Sequence, residues 1–122
     1  MIYIASPYSS PFKSVMEERY YSTLQFTYSQ LRSGKPVFSP IVHCHEMAKI
    51  LQIDGTFKTW QDYNLAMLKS AHALYVFCLT GWQNSIGVTE EIAFAKANNI
   101  HMVFWNEDGL HYRFFGDDEW QR

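Results

Sequence analysis

Cysteine is scarce in this chain: only Cys44 and Cys78 occur in 122 residues, far apart and without metal or redox spacing. They are expected as reduced thiols of a cytoplasmic protein rather than a disulfide framework. No apolar run approaches the ~18 residues that a membrane span needs, so no membrane association is expected. Neither charge sign dominates, since 10 Lys and Arg face 12 Asp and Glu for a net charge of -2. Without a basic stripe, electrostatic nucleic-acid binding has no support. The start, Met1 to Ala5, lacks the charged leader of a signal peptide and reads as a first strand. Also missing are a Gly-x-Ser-x-Gly elbow, a Gly-x-Gly-x-x-Gly turn and a Walker loop, which leaves serine hydrolase, dinucleotide and ATP readings without their motifs. There is no repeat, linker or low-complexity tract.

What is present is an alternation of strand-like and helix-like segments over a length that suits one domain, 1–122. Ile2 to Ala5 is β-prone and ends in Ser6-Pro7-Tyr8-Ser9-Ser10-Pro11. Ser14 to Arg32 reads as a long helix with Val15, Tyr20, Leu24, Phe26, Tyr28 and Leu31 as its apolar positions. Ser33-Gly34-Lys35-Pro36 closes it, with Gly past the end and Pro beyond. Val37-Phe38 predicts a brief strand, His43 to Leu51 a short helix, and Ile53 to Thr59 a loop. Trp60 to Ser70 predicts a second long helix with Trp60, Tyr63 and Met67 inward. Ala73 to Leu79 is the strongest strand, apolar enough for burial on both faces. A helix over Gly87 to Asn99 and a strand over Ile100 to Trp105 follow. The aromatic tail, with Tyr112, Phe114, Phe115 and Trp120, suits an edge element or an interface. This order implies an α/β domain with a mostly parallel sheet, whose ligand sits beyond the carboxyl ends of the strands. Three polar turns, Ser6 to Ser10, Ser39 to His45 and Gly81 to Ser85, are expected to converge there.

The segment from Gly81 to Glu91 is the most pointed of the three. Gly81 and Gly87 permit close backbone approach, and a helix starting near Ser85 presents free N–H groups to an anion. Ser85 also suits an N-cap, which is compatible with an anion-binding role. Glu91 shares a stripe with Val88 and Ala95, and Glu90 one with Ile86 and Phe94, so periodicity does not separate the two acids. In the first turn Tyr8 can orient a carboxylate, and Ser6, Ser9 and Ser10 can bind ligand oxygens. His43-Cys44-His45-Glu46 lacks the i, i+4 spacing of a zinc helix, and no second ligand pair completes a metal site. Contact with a substrate by His43 or His45 remains open.

Two of these segments carry a family resemblance. Tyr3-Ile4-Ala5-Ser6-Pro7-Tyr8 resembles the first-strand motif of the nucleoside 2-deoxyribosyltransferase-like superfamily. Ser85-Ile86-Gly87-Val88-Thr89-Glu90-Glu91-Ile92-Ala93-Phe94-Ala95 resembles the catalytic-helix motif of its nucleotide N-glycosidase branch, which includes 2'-deoxynucleoside 5'-monophosphate N-glycosidases and pyrimidine nucleotide hydrolases. With Trp60, Asp62 and Gly81-Trp82 added, the frame also resembles a small group of bacterial and phage proteins. The resemblance covers most of the chain, and only the catalytic-helix segment is specific. It implies a Rossmann- or flavodoxin-like three-layer sandwich with a mostly parallel sheet of about five strands.

The resemblance puts the nucleophilic glutamate at Glu91. It puts Ser85 where the hydrolases bind a 5'-phosphate and the transferases carry an Asp for a 5'-hydroxyl. Charge agrees, because an Asp at a helix start would repel a phosphate that Ser accepts. The family tyrosine falls on Tyr3 by strand register or on Tyr8 by its place in the loop. The family's sugar-binding Asp matches either Asp62 or Asn64. The branch's first-loop Arg is missing, and Lys13 is the nearby cation. Gly81, Trp82 and His43 complete the expected substrate contacts. The implied activity is hydrolysis of a (deoxy)nucleoside 5'-monophosphate through a glycosyl-enzyme ester on Glu91. It needs no cofactor or metal and takes a nucleotide as its small-molecule partner. The resemblance further implies a homodimer or larger homo-oligomer. A deoxyribosyltransferase, an inactive nucleotide-binding module and an enzyme of another signalling nucleotide such as NAD are the alternatives.

Overall fold

β1 (Ile2–Ala5) is buried along its whole length, as a short apolar run must be at the centre of a sheet covered on both faces. The computed structural model describes residues 1–53 and 58–114. After β1 come α1 (Lys13–Arg32), β2 (Val37–Phe38), α2 (Pro40–Leu51), α3 (Lys58–Lys69) and β3 (Ala73–Phe77). A 3₁₀ turn at Trp82–Asn84, α4 (Ile86–Ala97), β4 (His101–Trp105) and β5 (Tyr112–Arg113) complete the order. The five strands lie in the order β2-β1-β3-β4-β5. The first four are parallel, and β5 pairs antiparallel with β4 through Phe104–Arg113 and Trp105–Tyr112. The α/β sandwich with a five-stranded, mostly parallel sheet is thus the observed architecture.

Strand alternation sorts the core into two layers. Tyr3, Ala5, Leu74, Val76 and Phe104 face Leu68 of α3 and Val88, Ile92 and Ala95 of α4. Ile4, Phe77, Val103 and Trp105 face the other way, toward Phe26 of α1. There the Phe26 and Phe77 rings stack with centroids 4.2 Å apart.

The differences from the sequence reading have local causes. The α1 face that meets the sheet holds Thr23, Phe26 and Gln30, while Tyr28 and Leu31 are exposed. Polar members of that face are paired: Thr23 Oγ1 donates to Ser6 Oγ at 3.1 Å, and Gln30 Oε1 accepts from Lys35 Nζ at 3.1 Å. An apolar-stripe reading misses a face built this way. α2 begins at Pro40, three residues earlier than expected, because Ser39 Oγ caps it by accepting from Val42 N and Pro40 suits the first helical position. α3 begins at Lys58, so Lys58 and Thr59 are helical rather than loop. Its buried residue is Leu68, with Tyr63 exposed. β3 stops at Phe77. Phe115 and Trp120 lie outside the described residues. Among the described residues no helix is long and apolar enough to cross a membrane.

Strand order reverses between β1 and its neighbours, since β2 lies on one side and β3 on the other. The loops leaving β1 and β3 therefore separate and open a crevice.

Candidate active site

A cavity of about 680 Å³ fills that crevice. Ser6, Tyr8 and Ser9 come to it from the β1 loop, Pro40 and Ile41 from the start of α2, and Gly81, Asn84 and Ser85 from the β3 loop. Trp60, Gln61, Asn64 and Leu65 of α3 form another wall, and Ile86, Gly87, Glu90 and Glu91 of α4 a third. The three segments do meet on one side of the sheet, although the second, expected as a turn, is the capped start of α2.

Ser85 caps α4, its Oγ accepting from Val88 N at 3.2 Å. That leaves the first N–H groups of the helix, on Ile86 and Gly87, without intrahelical partners at the cavity wall. Arg19 approaches the same region from α1. Its Nη1 donates to Ser9 O at 2.9 Å and its Nη2 to Thr80 O at 3.4 Å, tying the β1 and β3 loops together. Gly81 allows this approach, with φ +91° and an added Cβ that would meet Arg19 Nη2 at 2.9 Å. Sequence reasoning put the loop cation at Lys13, which is exposed and does not line the cavity. The signal for Arg19 lay in helix periodicity: Arg19, Thr23, Phe26 and Gln30 share one face of α1, and Arg19 is at its cavity end.

Glu91 follows Val88 by one turn on the inward stripe of α4. Its residue surface is half-buried, but its carboxyl end is enclosed by protein. Desolvation dominates and pushes the carboxyl from its ordinary 4.5 up to about 8, against the lowering effect of the Tyr3 hydroxyl and with a further rise from the Glu90 charge. Glu90 lies at the exposed rim. Tyr3 is fully buried, and burial followed by the Glu91 charge raises its hydroxyl far above the ordinary phenol range. The Tyr3 hydroxyl is near enough to Glu91 to act on its titration, and it is paired with no other group among the described residues.

Tyr8 takes a different partner. Its hydroxyl lies 2.6 Å from His45 Nδ1, and His45 is buried with its ring stacked on Tyr20 at 3.9 Å. Tyr3, rather than Tyr8, is therefore the tyrosine beside Glu91. Asn64 lines the cavity with a buried Oδ1 that has no hydrogen-bond partner among the described residues. Asp62 is exposed and paired with Lys58 at 3.0 Å, outside the cavity lining. His43 also stands outside it, stacked on Tyr63 with centroids 5.8 Å apart. Trp82 packs on Phe104 at 5.7 Å instead of lining the cavity. The two histidines diverge because residues two apart on a helix face different ways. Burial pushes the Cys78 thiol up to about 12, and both cysteines are free.

The profile of a family described as a domain of unknown function, DUF1937, matches residues 1–107. The chain belongs to that family. The matched span takes in every cavity-lining residue named above, so the DUF1937 frame and the cavity coincide. No curated protein is found to match the chain. DUF1937 membership names no substrate.

Proposed function

We propose that this DUF1937 protein hydrolyses the N-glycosidic bond of a (deoxy)nucleoside 5'-monophosphate, releasing the free base and the sugar phosphate. The observation that carries this reading is a desolvated carboxyl, Glu91, in a cavity that Arg19 and the start of α4, with its free N–H groups, also line. A substrate that carries an anion and, a few bonds away, a reactive carbon suits that combination of groups. The resemblance to the nucleotide N-glycosidases supplies the reaction class. Trp60, Ile41 and Leu65 bring apolar surface to the cavity, which suits a base. The unpartnered Asn64 Oδ1 suits a sugar hydroxyl, which would satisfy a buried acceptor that now lacks a donor.

In this mechanism ionised Glu91 attacks C1', the C1'–N bond breaks, and the base leaves with the electron pair and takes a proton from solvent. Water then opens the ester, returning Glu91 and giving the sugar its hydroxyl. Tyr3, donating toward Glu91, favours the ionised form and holds the attacking oxygen in place. Binding of the phosphate falls to Arg19, to the Ile86 and Gly87 N–H groups and to Ser85.

A second reading, a nucleotide-binding module without turnover, draws on the elevated Glu91 pKa, since a neutral carboxyl is no nucleophile. Incubation with a panel of nucleoside monophosphates and nucleosides, followed by chromatography of free base, separates the readings. Base release from monophosphates but not nucleosides, abolished in Glu91→Ala, is the expected result. Binding without release favours the module, and base exchange without net hydrolysis favours a transferase. Full turnover by Glu91→Ala defeats the assignment of the nucleophile.

A further inference from the structure

The nucleophile, the tyrosine beside it and the anion-binding groups leave one buried array unused. Tyr8 opens onto the cavity, and its hydroxyl lies 2.6 Å from His45 Nδ1. The opposite ring nitrogen, Nε2, lies 3.3 Å from Glu17 Oε1. That contact has ion-pair distance without strict hydrogen-bond alignment, and Nε2 has no other partner among the described residues. Glu17 in turn is held by Lys49 Nζ at 3.2 Å and is half exposed. The imidazole is clamped between Tyr20 on its face and Tyr8 at its edge, with its side chain only 3% exposed. A buried imidazole bonded through Nδ1 and set at ion-pair distance from a carboxylate through Nε2 is a costly arrangement for mere packing, and it links a cavity-lining tyrosine to a surface carboxylate.

The order of donors follows from the charges. A carboxylate only accepts, so Glu17 selects the His45 tautomer with its proton on Nε2. Nδ1 is then bare, and the Tyr8 hydroxyl must donate to it. The Tyr8 oxygen consequently turns its lone pairs toward the cavity. Lys49 and His45 hold Glu17 below the usual carboxylate range, which keeps it in the accepting form.

We propose that Glu17 and His45 are positioning residues that lock Tyr8 as a hydrogen-bond acceptor toward the cavity, and that Tyr8 is the base for the water that opens the glycosyl-enzyme ester. The acceptor lock stands on the geometry alone; the base role rests on the N-glycosidase reading. In that step water gives one proton to Tyr8 Oη while the Tyr8 proton passes to His45 Nδ1. The water oxygen bonds to C1' as the C1'–O bond to Glu91 breaks, and the electron pair returns to the carboxylate. His45 becomes an imidazolium facing Glu17, and its extra proton returns to solvent through Tyr8 or the leaving product. The arrangement follows the logic of a carboxylate orienting an imidazole toward a hydroxyl, with Tyr in the outer place.

Two measurements test this. Nitrogen-15 NMR of the His45 ring in the empty protein is expected to show the Nε2–H tautomer, with Nδ1–H appearing in Glu17→Ala. A wild-type Nδ1–H tautomer, or one indifferent to Glu17, overturns the acceptor lock. For the base role, steady-state rates on nucleoside monophosphates are compared in a double-mutant cycle. Tyr8→Phe is expected to lose on the order of a hundredfold in kcat, a size usual for a lost acid–base group. Glu17→Ala is expected to lose at least about tenfold in kcat with Tyr8 present and nothing further in the Tyr8→Phe background. Additive losses, or a fall confined to KM, overturn the base role. If no monophosphate is turned over by wild type, the hydrolase reading and the base role fall together, while the tautomer still decides the lock.

Discussion

Glu91→Gln should make the folded protein more stable, and the gain should depend on pH. The wild-type carboxyl titrates at about 8 when folded against an ordinary 4.5. Its folded pKa is raised, so its contribution to stability is fully present below 4.5 and is lost as pH rises toward 8. At pH 7 the unfolded chain ionises Glu91 while the folded one keeps it largely neutral. At about 1.4 kcal/mol per pH unit, that mismatch costs the wild type about 3 kcal/mol at pH 7. Gln keeps the shape and hydrogen-bonding capacity near Tyr3 but does not titrate. Chemical denaturation of both proteins from pH 4 to pH 8.5 measures the difference. The two curves should converge near pH 4 and separate steadily above pH 5, with Gln ahead by a few kcal/mol at neutral pH. In thermal unfolding the same difference is on the order of 10 °C for a domain of this size. A constant offset at all pH values, or no offset, would refute the claim that Glu91 is desolvated. The same titration sets the sign of the proposed activity. If the ionised form attacks, the rate should rise with pH and level off above about 8.

Ser85→Ala removes the α4 cap and should cost about 1 kcal/mol of stability, whereas Ser85→Gly costs only a few tenths. If Ser85 also contacts a phosphate, both variants should weaken nucleotide binding in calorimetry, which separates the two roles. Gly81→Ala puts a side chain at φ +91° and 2.9 Å from Arg19 Nη2. It should lower stability by roughly 1 kcal/mol or more in denaturant titration and displace Arg19 from Ser9 and Thr80. Asn64→Ala is expected to raise KM for a monophosphate substantially more than Asp62→Ala does, and equal effects would contradict the assignment of Asn64 to the cavity.

The frame was legible because it is written in local terms. Gly34 and Pro36 mark the end of α1, and the continuous apolar run from Ala73 marks a strand buried on both faces. The Val88–Glu91–Ala95 spacing put Glu91 on an inward stripe, and Val88 and Ala95 are indeed buried while Glu91 meets the cavity. α1 was harder, because its inward face carries Thr23 and Gln30, whose partners Ser6 and Lys35 are remote or beyond the helix end.

By itself the sequence determined the order of strands and helices, the side of the sheet on which its turns meet, and the helix start at Ser85. Each depends on propensity, capping or spacing over a few residues. Only the tertiary structure decided which member of each ambiguous pair takes the expected place. Tyr3 rather than Tyr8 lies beside Glu91, because strand alternation turns Tyr3 to the α4 face while Tyr8 is already in the loop. Asn64 rather than Asp62 lines the cavity, because the two lie about 200° apart around α3. Arg19 rather than Lys13 reaches the β1 and β3 loops, because Arg19 shares the inward face of α1 with Thr23 and Phe26, from which Lys13 is turned by about 120°. Those choices depend on how elements rotate and dock against one another; local spacing groups residues on a face, as it does for Arg19, without saying what that face meets.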